Sequence, residues 1–202
     1  MRCDKTVLIS IKPEWVKEII RGTKTIEIRK TAPKLECPFK VYIYCSKTQH
    51  PIDCIRSFNG NIEFYEMEKI NIGKPINGKV IGEFTCNHIL EFNKDEYGAN
   101  CYDIDDDSFE ATCITLLDDL WQYGKGKTLY GWCIDNLKIY SEPVDVTKFK
   151  QVKVIRGYHT KSLDVTKNID IDYLMHTKRI EVKFLTRAPQ SWCYVNDMRG
   201  IL

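Results

Sequence analysis

Three charged residues near the start of the chain, Lys24, Glu27 and Arg29, put two cations beside a carboxylate. In an extended segment Glu27 and Arg29 fall on the same face, so an ion pair between them is the simplest structural interpretation. The functional interpretation is that Lys24 and Arg29 contact phosphate or carbonyl oxygens, while Glu27 orients a cation or accepts a hydrogen bond from the exocyclic amine of a base. The pattern is compatible with both.

Two further residues extend this set. Lys12 lies directly before Pro13 and would add a third cation. Glu83 lies on the less apolar face of a predicted strand and is a candidate general base. Acid–base chemistry by Glu83 and Lys24 would require burial to raise the first pKa and lower the second. A surface salt bridge is the simpler interpretation of Glu83, and if the chain is an enzyme, Lys24 and Glu83 are the predicted catalytic residues.

Aromatic side chains on the predicted strands could stack on an exposed base, as in single-stranded RNA recognition. Aromatic residues on strands more often belong to a core. Tyr44, Ser46 and Lys47 are better candidates because they end a strand, where clefts open and a lysine can reach a phosphate. The predicted ligand-binding residues are therefore Lys12, Lys24, Glu27, Arg29, Tyr44, Ser46, Lys47 and Trp132.

The cysteines and histidines do not predict a metal site or a cofactor. The nine cysteines are odd in number and contain no C-x-x-C pair, and the four histidines are widely separated. Several cysteines lie in apolar runs, which favours reduced, buried thiols.

Charge is divided along the chain. The formal net charge is only +2, but residues 1–50 carry eleven basic and five acidic side chains, and residues 103–119 carry seven acidic side chains and no basic one. Both runs could be solvated faces, and the first could instead form a local anion-binding surface.

The elements that must position the candidate residues begin with a strand, a helix and a second strand. Residues 7–11 are a short β-branched run, and Pro13 suits the first position of a helix. Apolar positions between Trp15 and Ile20 share a face, and Gly22 is placed for a left-handed cap. Residues 25–29 alternate with period two, which predicts a strand.

Later elements are predicted from the same patterns. Strands are expected over 40–45, 61–65, 79–87, 129–140 and 179–185, with a loop over 97–110. A helix over 116–123 would bury Leu116, Leu117, Leu120 and Trp121. The fold class is α+β and mainly β, as one barrel or strongly curved sheet with short flanking helices.

Chain length and hydropathy limit the number of domains and argue against a membrane span. The 202 residues suit one domain with an appendage, predicted as 5–149 followed by a C-terminal extension over 150–202. No run approaches the roughly 18 apolar residues of a membrane span, and the first residues lack a signal-peptide layout, so we expect a cytoplasmic protein without membrane contact.

The blocks SIKPEWVKEIIRGTKTIEIRK, VYIYCSK, GKVIGEF and ATCITLLDDLWQYGKGKTLYGWCIDNLKIYSEP resemble an ASCH domain of the PUA-like β-barrel group over residues 5–149. The most specific part is G-x-K-x-x-E-x-R, from Gly22 to Arg29, preceded by Lys12. The terminal APQSWCYV resembles the tail of a branch of bacterial and phage ASCH proteins.

The resemblance implies a small barrel with a cleft beside the first helix that binds RNA or a nucleotide-like ligand. Relatives include an N4-acetylcytidine amidohydrolase, whose site combines a Lys, a Thr three residues later and a distant Glu, and proteins described as ribonucleases. Lys24 matches the Lys and Glu83 the distant Glu, but Glu27 occupies the Thr position, which weighs against deacetylation because an ionised carboxylate cannot donate. Cys133 stands where the family commonly has His.

Three functions follow from these observations. The first is binding of RNA or a modified nucleotide in a basic cleft. The second is a hydrolase in the same cleft, either an amidohydrolase or a ribonuclease, and the third is an adaptor whose basic face meets an acidic protein partner. The sequence contains no signal for an oligomeric state.

Overall fold

The computed structural model describes residues 5–48, 54–58, 61–65, 74–96, 100–156 and 178–198. Its helices are α1 (Pro13–Arg21), α2 (Asp106–Ala111) and α3 (Leu117–Gly124), with a 3₁₀ turn over Val146–Lys148. Its strands are β1 (Lys5–Ile11), β2 (Ile26–Arg29), β3 (Phe39–Cys45), β4 (Cys54–Phe58), β5 (Asn61–Tyr65), β6 (Lys74–Pro75), β7 (Val80–Phe92), β8 (Leu129–Val144), β9 (Lys150–Arg156), β10 (Lys178–Phe184) and β11 (Trp192–Asn196).

Eight strands form one mainly antiparallel sheet in the order β10-β9-β11-β1-β3-β7-β8-β2, and β5-β4-β6 form a small second sheet. The pair β1 and β3 is parallel. Within the described residues the large sheet is open, with β10 and β2 as its edges. The mainly β architecture predicted from the sequence is confirmed, whereas closure into a barrel is not.

Helix α1 follows from its local sequence. It begins at Pro13, buries Val16 and Ile19, and ends at Gly22, whose φ of 79° is left-handed and favours glycine. The Gly22 N–H donates to the Ile19 carbonyl oxygen at 3.1 Å, which satisfies a terminal acceptor. The chain therefore turns sharply from α1 towards Lys24 and β2.

Strand β2 is buried on both faces. Ile26 and Ile28 pack in a core cluster with Phe92, Leu120 and other apolar side chains. Glu27 and Arg29 are exposed by only 6% and 9%. The prediction that these two charges share a face is confirmed, but a solvated surface pair is wrong, because the segment between α2 and α3 packs beside the strand.

The segment from Asp105 to Gly124 differs from the sequence expectation. Part of the predicted loop is the short helix α2, whose N-terminus is capped by the Asp105 carboxylate accepting from Ser108 N–H. Of the four apolar residues predicted to face the core, only Leu120 is fully buried. Leu116 and Leu117 are 60% and 46% exposed. Leu116 is the N-cap of α3 and Leu117 its first residue, whereas Trp121 packs against the core cluster that holds Leu120.

The C-terminal region contributes to the same sheet. Strand β11 lies between β1 and β9, and a second core cluster joins Leu8 and Tyr42 to Phe149, Leu185 and Val195. The predicted boundary at residue 149 stays a prediction, and residues 157–177 and 199–202 of the extension lie outside the described residues.

The described cysteines are free thiols, and Cys45, Cys86 and Cys193 are buried. Burial raises the pKa of Cys86 to about 12 and that of Cys193 to about 11, so both are protonated at neutral pH. No group of metal-ligating side chains is assembled among the described residues.

Helices in the described part of the chain are short, with nine residues in α1 as the longest, and none of them could cross a membrane.

Candidate functional site

A cavity of about 380 Å³ lies beside β2, between α1 and the α2–α3 segment. Charged side chains from three sequence regions line it: Lys12, Lys24, Glu27, Arg29 and Asp119. The apolar part of the wall comes from Trp15, Ile28, Ile114 and Tyr123. The volume lies in the range of small-molecule sites, so it suits a single ring system with its substituents.

Lys24 forms the base of this charged group and is only 3% exposed. Its Nζ donates to the carbonyl oxygens of Ile26 at 2.9 Å and Thr112 at 2.6 Å, and lies 3.4 Å from Glu27 Oε2. An ammonium group has three protons, and these three acceptors account for all of them. Lys24 thus joins β2 to the segment that begins with Thr112 and carries the opposite wall of the cavity.

The protonation of Lys24 is affected by two opposing influences. Burial lowers the pKa of Lys24 below its ordinary 10.5, and the neighbouring Glu27 carboxylate acts in the other direction. The Nζ also lies 5.1 Å from the centroid of the Trp15 ring, where a cation is attracted to the π face.

Glu27 is shared between two cations. Its Oε1 lies 3.0 Å from Arg29 Nη2, and its Oε2 faces Lys24. Both partners are buried as deeply as the carboxylate, so water screens these contacts little. The result is a buried cation–anion–cation cluster, which we call the Lys24–Glu27–Arg29 cluster, with a formal charge of +1.

Arg29 links this cluster to β1 and to the C-terminal segment. Its Nη2 donates to the Ser10 carbonyl oxygen at 2.6 Å, and its Nη1 lies 3.5 Å from Ser191 Oγ. The Nε is buried and has no hydrogen-bond partner among the described residues. A buried donor without an acceptor is costly, and the described part of the chain supplies no acceptor for this N–H.

The C-terminal segment is held against the same place. Ser10 Oγ donates to the Pro189 carbonyl oxygen at 2.6 Å, and Ser10 N–H donates to the Ser191 carbonyl oxygen at 2.8 Å. Trp192 Nε1 donates to Thr31 Oγ1 at 3.0 Å. These contacts fasten residues 189–192 of the tail to the sheet.

Two aromatic rings line the cavity. Trp15 comes from α1 and is half-buried, whereas Tyr123 comes from α3 and is 38% exposed. Burial raises the pKa of the Tyr123 hydroxyl, and the nearby Arg29 opposes that effect. Tyr123 is therefore a neutral phenol at neutral pH, and the Lys30 Nζ lies 4.6 Å from the centroid of its ring.

Lys12 lies at the open side of the cavity. It is the N-cap residue of α1, and its side chain is 72% exposed, with Glu14 3.6 Å from its Nζ. An exposed pair of this kind contributes little stability, so Lys12 can exchange Glu14 for a phosphate at small cost.

The other predicted ligand-binding residues do not line the cavity. Tyr44 is 6% exposed in the second core cluster, and Trp132 is fully buried between Phe39 and Trp192. The Lys47 side chain lies over Gly78, and Ser46 N–H donates to the Ile11 carbonyl oxygen. The two aromatic residues sit in the core because their strands lie inside the sheet, with a neighbour on each side.

Glu83 belongs to a separate polar cluster. It accepts a hydrogen bond from the Tyr140 hydroxyl at 2.7 Å and lies 3.4 Å from Lys40 Nζ. Lys40 also contacts Asp197, which accepts from the Tyr42 hydroxyl at 2.7 Å. The structure does not bring Glu83 to Lys24. It places Glu83 where β3, β7 and β8 meet the C-terminal segment.

The sequence analysis missed the wall formed by residues 113–115, Asp119 and Tyr123. All of these residues except Tyr123 lie in the acidic region, residues 103–119, which the charge pattern alone marks as a solvated face. One usable signal was that Asp119 and Tyr123 are four residues apart and share a face of α3. Nothing in the sequence indicated which element that face would meet.

We expect the stability of the protein to respond to Lys24 at alkaline pH. Because burial lowers the Lys24 pKa in the folded chain, the unfolded chain binds more protons between that lowered pKa and 10.5. Stability attributable to Lys24 should therefore rise with pH through this interval. Urea unfolding measures the free energy of unfolding of the wild type and of Lys24→Met from about pH 7 to about pH 11. The wild-type value minus the Lys24→Met value should increase as the pH rises.

Tyrosines with raised pKa values, such as Tyr42 and Tyr140, destabilise the fold on ionisation but are present in both proteins, so they cancel in the difference. A difference that stays constant or falls with pH would show that Lys24 is not desolvated as described.

Comparison with known proteins adds a distant structural similarity. No protein-family model matches the chain, and no curated protein matches it. Among solved structures, the ASCH protein of Zymomonas mobilis is similar at 14% identity and a TM-score of 0.42, covering 70% of this chain and 73% of that one. Two point variants of the same protein are similar at 16% and 17% identity, each with a TM-score of 0.41.

Proposed function

We propose that this chain binds single-stranded RNA or a nucleotide-like ligand in the cavity beside β2. The observation that carries this proposal is the buried Lys24–Glu27–Arg29 cluster, which faces a cavity and includes an unpaired guanidinium N–H. The cluster keeps a formal charge of +1, and Lys12 adds another cation at the open side. A phosphodiester or monophosphate supplies the matching negative charge.

The cavity also has features suited to a base. Trp15 and Tyr123 offer aromatic contact, and unpaired bases are held in RNA-binding proteins by stacking on such rings. A volume of about 380 Å³ accommodates one base rather than a helix. The ligand is therefore an unpaired nucleotide, either free or displaced from a strand.

Fluorescence anisotropy across a salt series tests this function with single-stranded RNA, hairpin RNA and matched DNA. Each phosphate contact contributes about −0.7 to the slope of log affinity against log salt for a single strand. Lys12→Gln should weaken binding several-fold and reduce the steepness of the slope by about 0.7. We expect RNA to bind more tightly than DNA.

Lys148→Gln is the matched control, because Lys148 is exposed, lies outside the cavity and makes the same change in charge. If the two variants lowered the RNA affinity and the salt slope equally, Lys12 would contribute only to the overall positive charge of the protein. If no nucleic acid binds above the nonspecific level, binding of polymers is wrong and free nucleotides become the remaining ligands.

A hydrolase in the same cavity is the second candidate. The lowered pKa of Lys24 favours it, since burial makes loss of the Lys24 proton easier than in water and a general base must accept a proton. Against it, all three Lys24 protons have acceptors within the protein, and Glu83 lies in another cluster. Incubation with N4-acetylcytidine and with RNA tests it: product that forms with the wild type and not with Lys24→Ala would support the hydrolase.

A further inference from the structure

We infer that Asp119 is the residue by which this cavity selects bases with an amine at pyrimidine C4 or purine C6, cytosine or adenine, over uracil. This inference rests on the proposed function, because it concerns the base of the nucleotide bound there. Asp119 lies in the acidic run of the sequence, yet the structure brings its side chain to the wall of a cavity that is otherwise basic.

Glu27 is not available for this task, although the sequence pattern assigns it there. Each of its oxygens faces a buried cation, Lys24 or Arg29, and the residue is only 6% exposed. An amine that approached Glu27 would compete with two charged donors already in place. The Glu27 carboxylate therefore holds the two cations in position. Another acceptor must receive the hydrogen bond from the amine of the base.

Asp119 has the properties of that acceptor. It is exposed, it lines the cavity, and its carboxylate has no hydrogen bond or ion pair with any described residue. Its backbone N–H donates to the Leu116 carbonyl oxygen in the first turn of α3, which sets the position of the residue on the helix. The neighbouring Asp118 shares the helix turn and the exposure but does not line the cavity.

A carboxylate distinguishes bases by their donors. The N4 amine of cytosine and the N6 amine of adenine can donate to it, whereas uracil presents a carbonyl oxygen at the equivalent position, which a carboxylate repels. Trp15 and Tyr123 on the flanks would hold the plane of the base. Lys12 and Arg29 would hold the phosphate and leave the amine edge towards α3.

The test compares oligocytidylate and oligouridylate of equal length at neutral pH, with wild type, Asp119→Asn and Asp118→Asn. We expect the wild type to prefer oligocytidylate by about ten- to a hundredfold, the effect of one hydrogen bond to a charged acceptor. Asp119→Asn should reduce this ratio to about one, and Asp118→Asn should leave it unchanged. Both variants remove one negative charge, so a general gain in RNA affinity cancels in the ratio.

Each result has a distinct meaning. Equal binding of the two oligomers by the wild type overturns the inference about Asp119 and leaves the proposed function in place. A preference that persists in Asp119→Asn, or is lost equally in Asp118→Asn, also overturns it. Absence of binding to both oligomers and to free cytidine monophosphate contradicts the proposed function itself.

Discussion

Replacing Glu27 by alanine should lower the free energy of unfolding by about 3–5 kcal/mol, because removing one member of a buried charge group leaves the others without compensation. Lys24 and Arg29 would remain buried, within a few ångströms of the site of the lost carboxylate. Urea unfolding measures the change as a lower midpoint at an unchanged slope.

Glu14→Ala provides the matched control for this prediction. Glu14 also pairs with a lysine, but its side chain is 57% exposed, and its loss should cost less than about 1 kcal/mol. A similarly small change in Glu27→Ala would contradict the description of the cluster as buried and mutually dependent. Glu27→Gln should fall between the two, since the amide keeps the shape and can still accept a hydrogen bond.

Replacing Arg29 by methionine should weaken RNA binding by about ten- to a hundredfold, the range expected for lost hydrogen bonds to a charged group. The side chain supplies the unpaired Nε donor and part of the positive charge of the cavity. If Arg29 contacts a phosphate, the salt dependence should also become less steep by about 0.7. Anisotropy titrations at several salt concentrations measure both quantities.

Arg29→Lys separates charge from geometry in the same assay. Lysine keeps the charge, so the salt slope should be preserved, but it cannot reproduce the planar fork that contacts Ser10 and Glu27. Affinity should therefore fall with little change in slope. If Arg29→Met binds RNA as the wild type does while remaining folded by circular dichroism, Arg29 has only a structural role and the proposed site is wrong.

The sequence predicted the elements whose signals are local. Pro13 and Gly22 mark the ends of α1, and the alternation around Ile26 and Ile28 marks β2. Because these signals act within a few residues, they also predicted that Glu27 and Arg29 share a face, and the motif from Gly22 to Arg29 added Lys24 to them. The ion pair between Glu27 and Arg29 follows from the period of a strand, and the structure contains it.

The burial of the Glu27–Arg29 ion pair depended on tertiary structure. Whether a charged strand face meets water or protein is decided by what packs on it, and here that is a segment from the acidic region. The contact between Lys24 and the Thr112 carbonyl joins residues 88 positions apart. Residue periodicity carries no information about such a pairing, so the charge run of residues 103–119 resembled an ordinary solvated face.

Glu83 was predicted to lie in the site with Lys24, and the structure places it elsewhere. Its place on a predicted strand was correct, since it lies in β7, but the neighbours of a strand determine which side chains it meets. The order of the sheet puts β7 between β3 and β8, and Glu83 therefore contacts Lys40 and Tyr140 rather than Lys24. Local sequence thus specified the chemical groups and the elements that carry them. Only the packing of distant elements decided which groups share a cavity, because side chains from separate elements meet through the order of strands and the placement of helices.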